Sequence, residues 1–176
     1  MSQVTIRTLA PPETAAALPA LAEILSDCVE GGASVGFMSP HAPGDAMPYW
    51  EGVARAVSEG HTILIVAEKD GDILGTVQLG IGMMPNQPHR ADLKKLLVHR
   101  RARGLGLSRL LMTAAESEAA KHGRHVLVLD TATGSPAESI YEKLGWQRVG
   151  VIPQYALMPD GSYCGSTFFY KSLATA

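Results

Sequence analysis

The stretch His125–Asp130, HVLVLD, constrains the fold more than any other. A near-continuous apolar run of this kind suits a buried central strand, which needs structure packed on both faces. The flanking sequence supplies candidates. Ala91–Val98 (ADLKKLLV) reads as another strand. Leu107, Leu110, Leu111, Ala114 and Ala115 fall on one face of a helix that runs to about Lys121. Lys121 and His122 suit the negative end of that helix, and Gly123 stops it. Ser135-Pro136-Ala137-Glu138 opens a further helix, with Ser as N-cap, Pro at the first helical position and Glu at the capping-box position. Leu144 and Gly145 end it.

The remaining segments fit around this unit. Val4–Leu9 reads as a short strand, and a helix follows from near Pro12 to Gly31 and Gly32. Pro19 is expected to kink that helix or divide it in two. Residues 33–50 form a long stretch rich in glycine and proline, of a length typical of functional lids. A second helix is expected from Pro48 to Glu59, ended by Gly60. HTILIVAEK and ILGTVQLGIGMM form a hairpin about Asp70-Gly71-Asp72. WQRVGVI and STFFYKSL are the last two strands, on either side of the turn Pro159-Asp160-Gly161. The order predicts a single mixed α/β (α+β) domain over residues 1–176.

Composition narrows the function classes. With 46% hydrophobic and 18% charged residues and a formal net charge of −2, the chain is that of an ordinary globular protein. There is no basic excess for nucleic acid and no long apolar run for a membrane span. The N-terminus carries no secretion signal, so a cytoplasmic protein is expected, with Cys28 and Cys164 as free thiols. The six histidines are scattered without HxxH or HExxH spacing, and no metal is expected.

Arg101–Leu111, RARGLGLSRLL, places a bare basic loop directly before a helix. A helix N-terminus has backbone N–H groups without intrahelical partners and a positive dipole end, so an anion docks there. Glycine lets a bulky phosphate approach because no Cβ intervenes. Arg100, Arg101 and Arg103 add positive charge. A tight turn with solvated arginines would read the same way in isolation. The loop lacks the Lys-Ser/Thr of a nucleotide-hydrolase P-loop, and Arg109 stands where a dinucleotide fingerprint needs its third glycine.

In its context, VHRRARGLGLSRLLM resembles the acetyl-coenzyme A pyrophosphate loop of the GCN5-related N-acetyltransferase (GNAT) family, [Q/R]-x-x-G-x-[G/A]. Two registers fit. Arg101, Gly104 and Gly106 match strictly, whereas Arg103, Gly106 and Ser108 keep the usual distance from the strand end at Val98; the second is preferred. HVLVLDTATGSPAESIYEKLGWQRVG resembles the family's next strand and helix, including Y-x-x-L-G-[F/W] at Tyr141–Trp146, and the likeness spans Val66–Tyr170. EGGASVGFM, LDTATGSPAESIY and PDG further resemble tabtoxin-resistance acetyltransferases, which acetylate an amino-acid toxin.

The resemblance implies a mixed central sheet of six to seven strands, splayed between the fourth and fifth, with about four helices. It implies direct transfer of acetyl from acetyl-CoA, as cosubstrate, to a small amine, without metal. The coenzyme would be held by the loop Arg103, Gly104, Leu105, Gly106, Leu107 and Ser108, and by the backbone of Leu96, Leu97 and Val98. Thr131, Ser135, Ala137 and Tyr141 would complete its site. Tyr141 is the candidate acid for the departing thiolate, since a phenol with a reference pKa near 10 is protonated at neutral pH. It could equally be a core tyrosine. Asp130 and Asp92 are candidate bases, unless a water chain carries the proton. Phe37, Tyr49 and Trp50 either shape the acceptor pocket or pin the lid, and Asp160–Ser166 is expected to close the pocket's other side. A monomer or homodimer is expected. A non-catalytic acyl-CoA sensor and a peptide or protein N-acetyltransferase are the alternatives, and the acceptor itself stays open.

Overall fold

The computed structural model describes residues 3–174. In chain order the elements are β1 (Thr5–Thr8), α1 (Pro11–Glu30), α2 (Pro43–Ser58), β2 (Thr62–Lys69), β3 (Asp72–Gly80) and β4 (Arg90–Val98). Then follow α3 (Leu107–Lys121), β5 (Val126–Ala132), α4 (Pro136–Lys143), β6 (Gln147–Leu157) and β7 (Tyr163–Ser172). The strands form one seven-stranded sheet in the order β1-β2-β3-β4-β5-β7-β6. Every neighbouring pair is antiparallel except β4 and β5, which run parallel.

The alternation of side chains along a strand divides the apolar residues between two layers. On one face Ile65, Leu93, Leu111, Leu127 and Phe169 join in a core beneath α3 and α4. On the other, Leu64, Val66 and Leu97 meet Leu21, Leu25 and Trp50 of α1 and α2. Within β5 the two faces differ. Leu127 and Leu129 are buried in the first core, but Val128 is only half-buried and Asp130 is exposed. The helices α1 and α2 pack on β2, β3 and β4, and so leave this part of β5 uncovered. The expected burial of both faces of HVLVLD is therefore half met, with Val128 half-buried and Asp130 exposed on the uncovered face.

Three further expectations change. Pro19 does not break α1, which is continuous from Pro11 to Glu30. Pro19 is exposed, while Leu21, Ile24, Leu25 and Cys28 hold the buried face together as one unit. The second helix begins at Pro43, not Pro48, because the Asp45 carboxylate accepts the Ala42 N–H at 2.8 Å and caps the earlier turn. Tyr49 and Trp50 consequently belong to α2, and the lid shortens to residues 31–42. The last strands are longer than expected, and β7 lies between β5 and β6. β6 is left as an edge strand with Val149, Ile152 and Tyr155 exposed.

Leu111 is wholly buried on the inner face of α3. Leu111→Ala should lower unfolding free energy by about 2–5 kcal/mol, read as an earlier urea midpoint with unchanged slope.

Candidate active site

The parallel pair β4–β5 is short. Paired positions run from Arg90–Val126 through Ala91–Leu127 to Asp92–Val128, and there the ladder ends. Beyond it β5 continues its pairing with β7 up to Ala132–Ser166, while β4 continues with β3. The two strands part, and their facing backbone edges border a wedge. A bulge in β4 accompanies the parting. Thr76 of β3 pairs with Leu97 and Gln78 with Lys94, so Lys95 and Leu96 together oppose Val77. Lys95 takes a left-handed backbone, φ 51°.

The basic loop lies where β4 leads into α3. Arg100–Ala102 form one 3-10 turn, and Gly104 and Gly106 follow with φ of 82° and 73°. A Cβ built on either glycine would meet nothing within 4 Å, so the loop surface is open to a ligand. Gly106 caps α3 with a left-handed backbone and no side-chain cap. The N–H groups of Gly106, Leu107, Ser108 and Arg109 have no acceptor among the described residues. The loop thus carries orphan donors at the positive end of a fifteen-residue helix, which suits a diphosphate. Both left-handed glycines fall in the register Arg101, Gly104, Gly106. Ser108, the last residue of the preferred register, already lies inside α3.

The three arginines have different surroundings. Arg100 is tied to α1: its N–H and its Nε both donate to the Asp27 carboxylate, at 2.8 and 2.9 Å. Asp27 is partly desolvated, yet these bonds hold its carboxyl below the usual range. Arg101 reaches Asp72 at 3.3 Å on the surface. Arg103 has no ion pair among the described residues and is exposed beside the glycines. Arg100 therefore anchors the loop, and Arg103 is the cation available to an anion held there.

At the other end of the wedge, α4 presents Tyr141 to the sheet. It is buried against Phe169 and Trp146, with ring centroids 5.7 and 6.2 Å away. Burial, then the negative charge of Asp130, push its phenol up to about 12. The hydroxyl has no hydrogen-bond partner among the described residues. Asp130 stands at the parting of the strands and accepts the Ser166 hydroxyl at 2.6 Å. Tyr141 and Asp130 are thus brought together. Asp92 stands at the last paired position, opposite Val128, and its carboxylate is engaged by Arg90 at 3.2 Å. Thr131 and Ser135 share a hydroxyl contact of 3.2 Å at the start of α4, and Ala137 packs on the core below.

Leu96 and Val98 are half-buried against one core and Leu97 is buried in the other, so only their backbone edge is offered to the wedge. The lid lies across the far side. Glu30 accepts from the Ser39 hydroxyl and the His41 N–H, the Ser34 hydroxyl donates to Leu157 C=O, and Ser39 N–H donates to Pro159 C=O. Phe37 and Tyr49 meet edge to face at 5.5 Å, and Tyr49 exchanges a hydrogen bond with the buried Gln78. Trp50 is wholly buried behind Tyr49 and pins α2 to the core.

One residue of the site escaped the sequence reading. Lys95 emerges from the bulge and lies over the rings of Phe37 and Tyr49, 5.8 and 5.4 Å from their centroids. Burial lowers its pKa, Asp130 opposes that shift, and Lys94 adds to it. The available signal was the doublet Lys94-Lys95 within an apolar strand. Two successive lysines break the period of two, as a bulge does.

A family model described as "Acetyltransferase (GNAT) family" matches residues 18–146. An N-acetyltransferase of Azospirillum brasilense, described as uncharacterized, is 37% identical over 112 residues. That alignment covers 62% of this chain and 65% of the relative, short of two thirds of its length. The L-methionine sulfoximine/L-methionine sulfone acetyltransferase of Pseudomonas paraeruginosa is 26% identical over 158 residues, 89% of each chain. Among solved structures, yncA of Salmonella typhimurium with its cofactor acetyl-CoA has a TM-score of 0.77 at 23% identity, covering 98% of this chain and 95% of that one. The chain belongs to the GNAT acetyltransferase family. Among the described residues no group of His, Cys, Asp and Glu could hold a metal ion, and no helix is long and apolar enough to cross a membrane.

Cys28 of α1 abuts the end of β4, its thiol donating to Val98 C=O at 3.6 Å, and burial pushes it up to about 11. In the native protein at about pH 8, iodoacetamide should therefore leave Cys28 unmodified, and peptide mapping should find it labelled only after unfolding.

Proposed function

We propose that the protein is an acetyl-CoA-dependent N-acetyltransferase acting on the amine of a small, amino-acid-like molecule. The parting of β4 and β5 after Asp92–Val128, with Tyr141 at one end of the wedge and the orphan amides of Gly106–Arg109 at the other, carries this reading. The relative named for acetylating L-methionine sulfoximine and L-methionine sulfone supports the choice of acceptor.

Bound acetyl-CoA would supply an acetyl group activated as a thioester. The amides of Gly106–Arg109 and the Arg103 guanidinium hold the diphosphate, and the edge of Leu96–Val98 takes the pantetheine arm as an added strand would lie. Asp130, held by Ser166, faces the acceptor's ammonium and favours its approach. A free amine must form before it attacks the thioester carbon, and Asp130 or water takes the proton released; the nitrogen sheds a second proton as it becomes an amide, and that proton, carried by water, restores the Tyr141 phenol. As the C–N bond forms and the C–S bond breaks, Tyr141 gives its phenolic proton to the departing sulfur. Its raised pKa keeps it protonated across the physiological range, so it is available as a donor at every turnover. A resistance role toward a toxin or antibiotic, in the cytoplasm, accords with this acceptor class.

Gly106→Glu places a side chain and a negative charge where the diphosphate would sit. It should raise the acetyl-CoA Kd on the order of a hundredfold in calorimetry, with an unchanged circular dichroism spectrum. Unaltered binding removes the loop from the cofactor site. Tyr141→Phe should lower kcat by about a hundredfold while the acetyl-CoA Kd stays within about threefold of wild type. Equal kcat for the two proteins removes Tyr141 from the chemistry.

A further inference from the structure

Resting on the acetyl-transfer reading above, we propose that Lys95 is the anion-binding half of the acceptor site. The acceptor is then a zwitterion of the α-amino-acid class, with its carboxylate on Lys95 Nζ and its amine toward Asp130.

Three observations carry this. First, the backbone aims the side chain on purpose. The left-handed φ of 51° at Lys95 is a conformation that a residue with a Cβ rarely adopts, and the bulge turns Lys95 onto the face that carries Phe37 and Tyr49. A regular strand would alternate Lys95 away from Lys94, toward the core beneath α3.

Second, the ammonium is held but not neutralised. Its nitrogen stands over both rings, about equally far from each, and a Cβ built on Gly36 would lie 3.6 Å from it. The rings are fixed by their mutual edge contact and by the bond from Tyr49 to Gln78. Aromatic faces attract a cation yet accept none of its three N–H bonds in the manner of an oxygen. Among the described residues Lys95 has no hydrogen bond and no ion pair. A partly desolvated charge with open donors gains strongly from an arriving carboxylate.

Third, the opposite charge is on the same cleft at a distance. Asp130 acts on Lys95 electrostatically but forms no ion pair with it, and its Oδ2 accepts the Ser166 hydroxyl. A separated positive and negative group match a ligand that carries both charges. A plain amine leaves Lys95 unanswered, and a polyamine brings a second cation against Lys95 and Lys94.

The test measures CoA thiol release with L-methionine sulfone, its carboxamide and spermidine, for the wild type, Lys95→Met and Lys95→Arg. Met and Lys meet the same backbone cost at this position, so the bulge is preserved; acetyl-CoA Kd and thermal midpoint check the fold. Wild type should favour the free acid over the carboxamide by roughly tenfold to a hundredfold in kcat/KM. Lys95→Met should bring the two within about threefold, through a raised KM for the acid, and Lys95→Arg should keep the preference. Lys95→Met with the wild-type ratio, or a wild type that uses carboxamide or spermidine as well as the acid, overturns the anion site and leaves acetyl transfer standing. Acetyl-CoA binding with transfer to none of the three overturns the zwitterion acceptor. Failure to bind acetyl-CoA at all overturns the acetyl-transfer reading beneath it.

Discussion

The end of the β4–β5 ladder after Asp92–Val128 is the constraint on which the rest of the structure depends. In a regular sheet both edges of an inner strand are satisfied by neighbours, and no room is left between them. Here β7 keeps hold of β5 and β3 keeps hold of β4, so each strand stays in the sheet although the two separate. The bulge at Lys95–Leu96 bends β4 and sustains the parting. The wedge is thus a product of hydrogen-bond geometry, and it exposes backbone groups that a polar chain can satisfy.

The contacts around the wedge sort by what they anchor. Asp27 fixes Arg100, and through it the start of the glycine loop, to α1. Glu30, one turn further along the same helix, fixes the lid through Ser39 and His41. One helix therefore sets the position of both the candidate cofactor loop and the candidate acceptor wall. The opposite wall is set by β7, whose Ser166 orients Asp130 and whose Phe169 packs on Tyr141. These ties leave the glycine amides, the Tyr141 hydroxyl and Lys95 around the wedge with unfilled bonding capacity.

Much of this was legible in the sequence, for local reasons. The stop signals at Gly123 and Gly145 lie where local chemistry predicts, as do the paired glycines before α3; α4 also starts at Pro136, but the Ser135 hydroxyl makes no cap bond and Glu138 accepts the Gly134 N–H at 2.8 Å. Tyr141 lies inward because it shares a helical face with Ala137 and Leu144, which pack on the same core. What was missed is set by tertiary context. The earlier start of α2 depends on one cap at Asp45, competing with a misleading proline at 48. The place of β7 between β5 and β6 is a long-range choice that no local pattern encodes. Trp50, which the sequence leaves open between shaping the acceptor pocket and pinning the lid, fills the core from α2. Lys95 was hidden because a bulge reverses the side to which a strand residue points.

The central claim is that the wedge and the glycine loop together receive acetyl-CoA. Backbone amide chemical shifts followed through a titration with acetyl-CoA test it residue by residue. The account predicts that the largest changes fall on residues 96–98 and 103–109, with smaller ones around Asp130 and Tyr141. Changes confined to another surface, with these amides unmoved at saturation, would contradict it.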